Sequence, residues 1–532
     1  MNKIKIDLER IVSDIDRNIF GGYMEIGPSA ARFRYLDIGD APGADKNVLR
    51  ADIRATIERM KLSNIRFPGG NFVSGYRWRD GVGPQDQRPA RHELAWNRTE
   101  LNNYGTNEFI RACRAFNIEP YLCVNCGDGD MREAADWVEY CNGTGETALV
   151  KLRREHGFAP PHKVKYWGVG NEVDSPGQIG YKTPQEYARA FTEFSKVMKR
   201  VDPDIKLVAS AACSWEDRPL GPQFLNRPTE WVERAQLMLE QAGDRIDYMA
   251  LHKYAHPYYD DPFETYMAFA ESFNEHLSAY EGLIHAVSLE RGINHAISIA
   301  VDEWGNSPVP NDLEREDPIS VARDERGVTR LNSNDKSGFR RRDRWNVNLE
   351  DALVVALHLN TFIRHAYSVR MANLPSVPFP AMGINLIRLD RPVLLQPTFF
   401  PFEIYSRTCG KLALDVFWHG DTFSGSYKNR VYSGIRTLDI AATLDEASKQ
   451  LVVYVVNQSK NKHMEAVIEL TSGQFTGKVG ISIFNGPDIK AENTEEKPNQ
   501  VGVSDSILNV SGKSFTYIFE PHSVTALTCN VI

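Results

Sequence analysis

Short apolar runs alternate with longer amphipathic stretches over the first 375 residues or so of this 532-residue chain, and no other feature constrains its fold as strongly. The strand-length runs are 19–25, 64–67, 118–125, 164–170, 205–210, 246–252, 297–302 and 367–373. Between them apolar residues recur at helical spacing, as over 106–117 and 184–201. Such alternation predicts parallel strands joined by right-handed crossovers. Eight units of this kind predict an α/β fold, a (β/α)8 TIM barrel with enlarged loops.

The pattern changes near residue 395. From there to the end, short apolar runs such as 412–417 and 451–456 are separated by Gly, Asn, Ser and Pro, without a long helical pattern. This predicts a C-terminal antiparallel β-sandwich domain over 395–532. The barrel is expected over 19–394, and residues 1–18 are expected to add a strand to the sandwich. An open doubly wound sheet is the main alternative, but no GxGxxG follows the first run.

Charge and cysteine content narrow the partners and the cellular compartment that we expect for this chain. A net charge of −8 argues against nucleic acid as the main partner, because phosphate binding needs a basic surface. The seven cysteines have no disulfide-framework spacing and are expected to be reduced thiols. Neither the apolar core of a signal peptide nor a membrane span is found, so we expect a cytoplasmic protein without a membrane partner.

Two acids follow strand-like runs. Glu172 comes two residues after the fourth run, and Glu303 comes directly after the seventh. Because the active site of such a barrel lies at the carboxyl ends of its strands, the two can face each other across its mouth. Two facing carboxylates are the machinery of glycoside hydrolysis, one donating a proton and the other attacking the anomeric carbon. Taken singly, either acid could equally be a helix cap or part of a surface ion pair.

Several motifs carry a resemblance to a known family. They are Arg66-Phe67-Pro68-Gly69-Gly70-Asn71-Phe72-Val73-Ser74-Gly75-Tyr76, Gly105-Thr106-Asn107-Glu108-Phe109, Lys165-Tyr166-Trp167, Gly170-Asn171-Glu172, the tract 178–183 and Asp302-Glu303-Trp304. Over roughly residues 16–375 the chain resembles the α-L-arabinofuranosidases of glycoside hydrolase family 51. The resemblance implies a retaining exo-glycoside hydrolase that releases terminal α-L-arabinofuranosyl residues from arabinose-containing oligosaccharides. It implies no cofactor and no metal, and a homo-oligomer, often a hexamer.

The resemblance also implies roles for individual residues. Glu172 matches the general acid/base and Glu303 the nucleophile of a double displacement, which places the two carboxyls about 5–5.5 Å apart. The substrate-binding positions are then Asn171 for the sugar 2-hydroxyl, Glu25, Arg66 and Asn71 in the furanose pocket, His252 and Tyr254 near the nucleophile, and Trp96 as an aromatic wall. Arg66 could simply neutralise Glu303 and Glu172 as a structural ion pair, with or without a part in catalysis, and Trp96 could be a core aromatic residue.

The chain departs from the family pattern around the pocket. Ile26-Gly27-Pro28 follows Glu25, Gly305 follows the nucleophile motif, Ser376 aligns with a pocket Gln, and 365–368 differ as well. The same two-carboxylate chemistry on a galactofuranoside, a β-xyloside or a β-glucan therefore stays open.

Two other classes of function are weaker. A metal-dependent barrel lyase or isomerase would use Glu172, Glu303, His252 and Asp302 as ligands, and a non-catalytic sugar-binding protein would need neither glutamate. Cys123 and Cys126 form a single CxxC without the second pair that a zinc site needs. The charged insertion 305–345 is either a solvated loop or a lid over the site.

Overall fold

The computed structural model describes residues 2–26, 51–213, 231–255, 261–306, 347–375, 393–427 and 430–532, together with the short strands 322–323, 329–330 and 387–388. Most of the insertion 305–345 lies outside the described residues, as do Gly27, Pro28 and Ser376. Within the described residues, no helix combines the length and the apolar character needed to cross a bilayer.

Eight parallel strands close into a barrel, with strands numbered in chain order. They are β2 (Gly21–Tyr23), β3 (Asn64–Phe67), β6 (Glu119–Val124), β7 (Tyr166–Val169), β8 (Lys206–Cys213), β9 (Tyr248–Ala255), β10 (Ser298–Asn306) and β13 (Val369–Pro375). Pairing of β13 with β2 completes the ring. This confirms the predicted barrel and excludes the open sheet. The barrel interior is filled by Val73, Tyr121, Cys123, Tyr166, Val208, Ala250, Ala300 and Met371.

Helices surround the barrel. They are α1 (Ala51–Met60), α2 (Thr106–Phe116), α3 (Met131–Asn142), α4 (Ala148–Glu155), α5 (Pro184–Val201), α6 (Trp231–Ala242), α7 (Phe263–Met267), α8 (Phe269–Arg291), α9 (Leu349–Arg364) and α10 (Phe399–Thr408). Their ends follow local sequence signals. Thr183 caps α5 reciprocally with Glu186, and Pro184 takes the first helical position, where its missing N–H is not needed. Asn348 and Asp351 form the same reciprocal cap on α9.

A second sheet packs against one side of the barrel. Its nine strands are β1 (Asn2–Asp14), β16 (Leu412–His419), β19 (Leu438–Asp445), β20 (Gln450–Asn457), β21 (Met464–Leu470), β22 (Phe475–Asn485), β23 (Gly502–Gly512), β24 (Ser514–Phe519) and β25 (Ser523–Val531), in the order β23-β22-β25-β20-β19-β16-β1-β21-β24. All neighbouring pairs are antiparallel except β1 with β21. Val510 on one edge strand and Phe519 on the other share one apolar core, so the sheet folds over on itself.

Helices α9 and α10 lie between the barrel and this sheet. Every residue of α9 from Leu349 to Ile363 is buried, because α9 touches β10 on one side and β19 and β20 on the other. Asn360 donates a hydrogen bond to Oδ1 of Asp439, and Arg364 pairs with the same carboxylate. Helix α10 falls in the region where the sequence pattern predicted no helix.

Four short antiparallel pairs complete the described elements. They are β4 (Arg91–Glu93) with β5 (Arg98–Glu100), β11 (Ala322–Arg323) with β12 (Thr329–Arg330), β14 (Ile387–Arg388) with β15 (Leu394–Leu395), and β17 (Thr422–Tyr427) with β18 (Arg430–Arg436). The first pair matters for the site, because its connecting turn holds Trp96.

Candidate active site

The end of β7 turns sharply to present Asn171 and Glu172. Gly170 has a φ of 84°, and Glu172 itself has a φ of 40°. The left-handed region is unfavourable for a residue with a side chain and is seen most often where function requires it. Both Asn171 and Glu172 are buried, at 1% and 6% exposure, although they follow the last residue of a strand. The backbone of this turn is therefore held in an unfavourable conformation that brings the Glu172 carboxyl inward.

Strands β9 and β10 deliver four more polar groups. On β9, His252 and Tyr254 are two residues apart and share a face. Along β10, Ala300 pairs with Ala250 and Glu303 with His252, so β10 holds one extra residue in this stretch. Such a bulge re-aims side chains, and it lets the consecutive residues Asp302 and Glu303 both reach the barrel interior.

Arg66, on β3, joins the groups from these strands. Its Nη1 donates to Oε1 of Glu303 at 2.6 Å, and its Nη2 donates to Oδ1 of Asn171 at 2.6 Å. Its Nε lies 3.2 Å from Oδ2 of Asp302. The guanidinium is 1% exposed; burial alone would lower its pKa, but the carboxylates of Asp302 and Glu303 outweigh burial and raise it. Arg66 thus forms a buried ion pair with Glu303, one of the two carboxylates considered from the sequence, and it contacts Asn171 as well.

The two candidate catalytic carboxylates lie close together. One oxygen of Glu172, one of Glu303 and a ring nitrogen of His252 all lie within 4.8 Å of one another. Nδ1 of His252 is 3.1 Å from Oε1 of Glu172 and 3.5 Å from Oε2 of Glu303. Tyr254 donates its hydroxyl to Oε2 of Glu303 at 3.0 Å. Both oxygens of Glu303 therefore accept hydrogen bonds, and the side chain is fixed in one orientation.

Glu25 lies directly after the end of β2 and accepts three hydrogen bonds. Its Oε2 accepts from the Tyr23 hydroxyl at 3.0 Å, and its Oε1 accepts from the Phe72 amide and from Nε1 of Trp96, each at 3.1 Å. Burial raises the pKa of Glu25 to about 7, with the charge of Glu303 adding to the shift and the hydrogen bonds opposing it. Trp96 is partly exposed, and its indole N–H reaches the Glu25 carboxylate.

The Pro68-Gly69-Gly70-Asn71 turn lies against the same carboxylates. A Cβ on Gly70 would stand 2.3 Å from the Tyr23 hydroxyl and 3.3 Å from Oε1 of Glu303, so only glycine fits there. Next to it, the side-chain oxygen of Asn71 accepts a hydrogen bond from Nε2 of Gln178. The same Nε2 donates to Oε2 of Glu172 at 3.0 Å. Gln178 thus connects Asn71 to Glu172.

The side-chain amide of Asn171 provides a hydrogen-bond donor to the site. Nδ2 of Asn171 is buried, and nothing among the described residues accepts a hydrogen bond from it. Oδ1 of the same amide is held by Arg66, so the orientation of the group is fixed. A buried donor without an acceptor is unfavourable unless a ligand supplies one. A sugar hydroxyl is a suitable acceptor.

The spacing of Glu172, His252 and Glu303 would also suit a metal ion. The charges do not favour one. Arg66 lies 2.6 Å from Glu303 and 3.2 Å from Asp302, so a buried cation already occupies one side of the Glu303 carboxylate, which a divalent ion would need as a ligand. Its guanidinium would repel a second cation at the same oxygens. The arrangement fits proton transfer and nucleophilic attack by carboxylates better than metal chemistry.

The structure brings all nine sequence-predicted site residues to the carboxyl end of the barrel. Three further residues of the site were not among the catalytic or substrate-binding residues predicted from sequence: Tyr23, Gln178 and Asp302, whose Oδ1 lies 3.2 Å from Nε2 of His252. Tyr23 stands two residues before Glu25, and this same-face spacing was a usable signal. Gln178 lies in a loop, and no periodicity places a loop side chain. Ser376, which aligns with a pocket position of the family, is outside the described residues.

Two family models match the chain. The alpha-L-arabinofuranosidase 1 domain matches residues 56–279, and the alpha-L-arabinofuranosidase C-terminal domain matches residues 302–523. Alpha-L-arabinofuranosidase C of Emericella nidulans is 32% identical over 534 residues, covering 98% of this chain and 96% of the relative. The intracellular exo-alpha-(1->5)-L-arabinofuranosidase 1 of Bacillus subtilis is 30% identical over 532 residues, covering 97% of each chain.

Solved structures agree with these relatives. The arabinose complex of the alpha-L-arabinofuranosidase from Thermotoga maritima superposes with a TM-score of 0.81 at 30% identity, over 99% of both chains. The thermostable GH51 alpha-L-arabinofuranosidase from Thermotoga petrophila gives a TM-score of 0.81 at 29% identity, over 99% of this chain and 100% of that one. The similarity therefore spans both the barrel and the C-terminal sheet.

Proposed function

This chain belongs to the α-L-arabinofuranosidases of glycoside hydrolase family 51, and from that premise we propose that it removes terminal α-L-arabinofuranosyl residues from arabinose-bearing oligosaccharides with net retention of anomeric configuration. That it is a glycoside hydrolase releasing arabinofuranosyl residues follows from the family. Retention, exo action and the role of each residue are the proposal.

The spacing of the carboxylates is the observation that carries the proposal. An oxygen of Glu172 lies within 4.8 Å of an oxygen of Glu303. Retaining glycosidases place these groups about 5–5.5 Å apart, whereas inverting enzymes need about 6.5–9.5 Å to admit a water molecule between them. The short separation supports direct attack on the sugar by one of the two residues.

The hydrogen bonds support a division of roles. Glu303 accepts hydrogen bonds from Arg66 and Tyr254, one at each oxygen, and these contacts orient its carboxylate for attack on the sugar. In the first step Glu303 bonds to the anomeric carbon while Glu172 gives its proton to the departing oxygen. In the second step Glu172 takes a proton from water, and the hydroxyl replaces Glu303 on the same carbon. Asn171 offers its buried Nδ2 to the sugar 2-hydroxyl.

Two substitutions test these roles. Glu303→Ala should abolish turnover of an aryl α-L-arabinofuranoside, and unchanged turnover would contradict the assignment. Glu172→Ala should still cleave substrates with activated leaving groups but should lose turnover of natural substrates, because only the natural leaving groups need a proton. Equal losses on both would argue against the acid role. Trapping with an arabinofuranosyl inactivator, followed by peptide mapping, should label Glu303.

The sugar preference is tested with a panel of nitrophenyl glycosides. We expect the α-L-arabinofuranoside to be cleaved far faster than the galactofuranoside or the β-xyloside, because the family models match both parts of the chain. If another glycoside were cleaved faster, the substrate would be that sugar and the two-carboxylate chemistry would stay the same.

We further propose a cytoplasmic homo-oligomer, a hexamer. The Bacillus subtilis relative is named as intracellular, and the six cysteines whose side chains are described are free thiols. Light scattering on the purified protein should give the mass of six chains, and a monomer mass would refute the assembly. Fractionation of the producing cells tests the location.

A further inference from the structure

Asp302 precedes the proposed nucleophile, and its two carboxylate oxygens have separate partners. Oδ2 accepts a hydrogen bond from the Tyr121 hydroxyl at 2.9 Å and lies 3.2 Å from Nε of Arg66. Oδ1 lies 3.2 Å from Nε2 of His252. The side chain is 3% exposed, so these contacts are made away from bulk water.

Asp302 is held in its ionised form. Burial alone would raise its pKa, but the charge of Arg66, together with hydrogen bonds from His252 and Tyr121, outweighs burial and lowers the pKa below its ordinary value. An ionised carboxylate only accepts hydrogen bonds. Nε2 of His252 must therefore carry the hydrogen in the contact with Asp302.

The tautomer of His252 then fixes what its other nitrogen does. A neutral imidazole with a hydrogen on Nε2 has only a lone pair on Nδ1. Nδ1 lies 3.1 Å from Oε1 of Glu172 and 3.5 Å from Oε2 of Glu303. With His252 neutral, the nearer contact, with Glu172, is favourable only if Glu172 carries a proton. The farther carboxylate already accepts hydrogen bonds from Arg66 and Tyr254.

We propose that Asp302 is a positioning residue for the general acid: by accepting a hydrogen bond from Nε2 of His252, it turns Nδ1 into an acceptor and keeps the transferable proton on Glu172. The inference rests on the proposed function and deepens it. When Glu172 gives this proton to the departing oxygen, it becomes a carboxylate facing a lone pair. That unfavourable contact makes it a stronger base for the water of the second step, which returns the proton.

Asp302→Asn tests the idea, because the amide keeps the shape of the side chain. Its oxygen will face the two donors Arg66 and Tyr121, so its NH2 group will face Nε2 of His252. His252 must then accept at Nε2 and carry its hydrogen on Nδ1, where it favours ionised Glu172. A wrong tautomer of this kind, with geometry intact, is known to be strongly damaging in catalytic triads.

The measurement compares two leaving groups. A 2,4-dinitrophenyl α-L-arabinofuranoside needs no proton, whereas a phenyl α-L-arabinofuranoside does. General acid catalysis contributes about 10²–10⁴-fold, so Asp302→Asn should lose at least about 100-fold more kcat/KM on the phenyl substrate. The alkaline limb of its pH profile should move to lower pH. Equal losses on both substrates with an unmoved profile would overturn the proposal.

Two further variants separate positioning from mere stability. Asp247, at the opposite end of β9, accepts hydrogen bonds from Lys206 and from the Leu207 amide, and Asp247→Asn is the matched control. It should leave the ratio of the two rates unchanged. In a His252→Gln background, Asp302→Asn should have no additional effect on that ratio, because the residue through which it acts is gone. An additional effect of full size would contradict action through His252.

A measurement on the unmodified enzyme covers the case in which Asp302→Asn fails to fold. Nitrogen-15 spectra of histidine-labelled protein, with His252 assigned by comparison with His252→Gln, should show a hydrogen on Nε2 and none on Nδ1 at neutral pH. A hydrogen on Nδ1 would overturn the proposal. Failure of the proposed function is seen separately, as absence of wild-type turnover on the 2,4-dinitrophenyl substrate.

Discussion

Glu25 makes the stability of the enzyme depend on pH, and Glu25→Gln should remove that dependence. The pKa of Glu25 is about 7 in the folded protein against an ordinary 4.5. Because one pH unit corresponds to about 1.36 kcal/mol, the difference amounts to about 3 kcal/mol. The folded state favours the protonated carboxyl. Its stabilising contribution is therefore complete below about pH 4.5 and is lost as the pH rises through 7.

The assay is thermal unfolding of both proteins at pH 5 and pH 8. Glutamine cannot ionise, and its amide oxygen can still accept from Trp96 and from the Phe72 amide, as Oε1 of Glu25 does. For a chain of 532 residues, about 3 kcal/mol corresponds to about 2–3 °C in Tm. The Tm of Glu25→Gln relative to wild type should therefore rise by about that amount between the two pH values.

A control variant isolates the effect of burial. Glu290 is an exposed glutamate on α8, so Glu290→Gln removes the same charge without a buried partner. Its Tm difference from wild type should be the same at pH 5 and pH 8. If Glu25→Gln also behaves in this way, the argument that Glu25 is protonated in the folded state is wrong.

Three other substitutions have defined outcomes. Arg66→Lys replaces the planar, forked guanidinium by a point charge. It should lower kcat/KM on an aryl arabinofuranoside by more than about 100-fold and the free energy of unfolding by about 3 kcal/mol. Full activity in this variant would contradict the view that the guanidinium of Arg66 holds the site together. Gln178→Ala removes a hydrogen bond to Glu172 and should reduce turnover of unactivated substrates by about 10- to 100-fold, measured against circular dichroism to exclude misfolding. Gly70→Ala should destabilise the protein by about 1–3 kcal/mol in chemical denaturation, because its Cβ collides with Tyr23.

The barrel could be predicted from the sequence because each of its strands is a short apolar run between helical patterns. The expected helix over 184–201 and the strand run 64–67 coincide with α5 and β3. Helix α10 was not readable. It begins Phe399-Phe400-Pro401-Phe402 and is buried from Phe399 to Ser406, so it shows no polar face and carries a proline. Packing between the barrel and the sheet, rather than propensity, holds it in helical form.

The site was partly readable for a similar reason. Strand ends place side chains by rule, and Glu172 and Glu303 were predicted in that way, whereas His252 was predicted from the resemblance to the family. The bulge in β10 was not readable, because simple alternation predicts that Asp302 and Glu303 point to opposite faces. The contact of Asp302 with His252 depends on this one extra residue. A β-bulge that is set by tertiary packing cannot be predicted from the periodicity of a single sequence.

The first strand of the chain has a consequence for how the molecule is made. β1 lies between β16 and β21, with Asn2 next to Ala466 and Lys3 next to His419. This segment is synthesised before its partner strands and must wait until about four hundred later residues have emerged before it finds its neighbours. The carboxy-terminal part expressed alone would lack an inner strand, leaving two unsatisfied edges that invite aggregation. Supplying residues 2–14 as a separate peptide should restore its solubility.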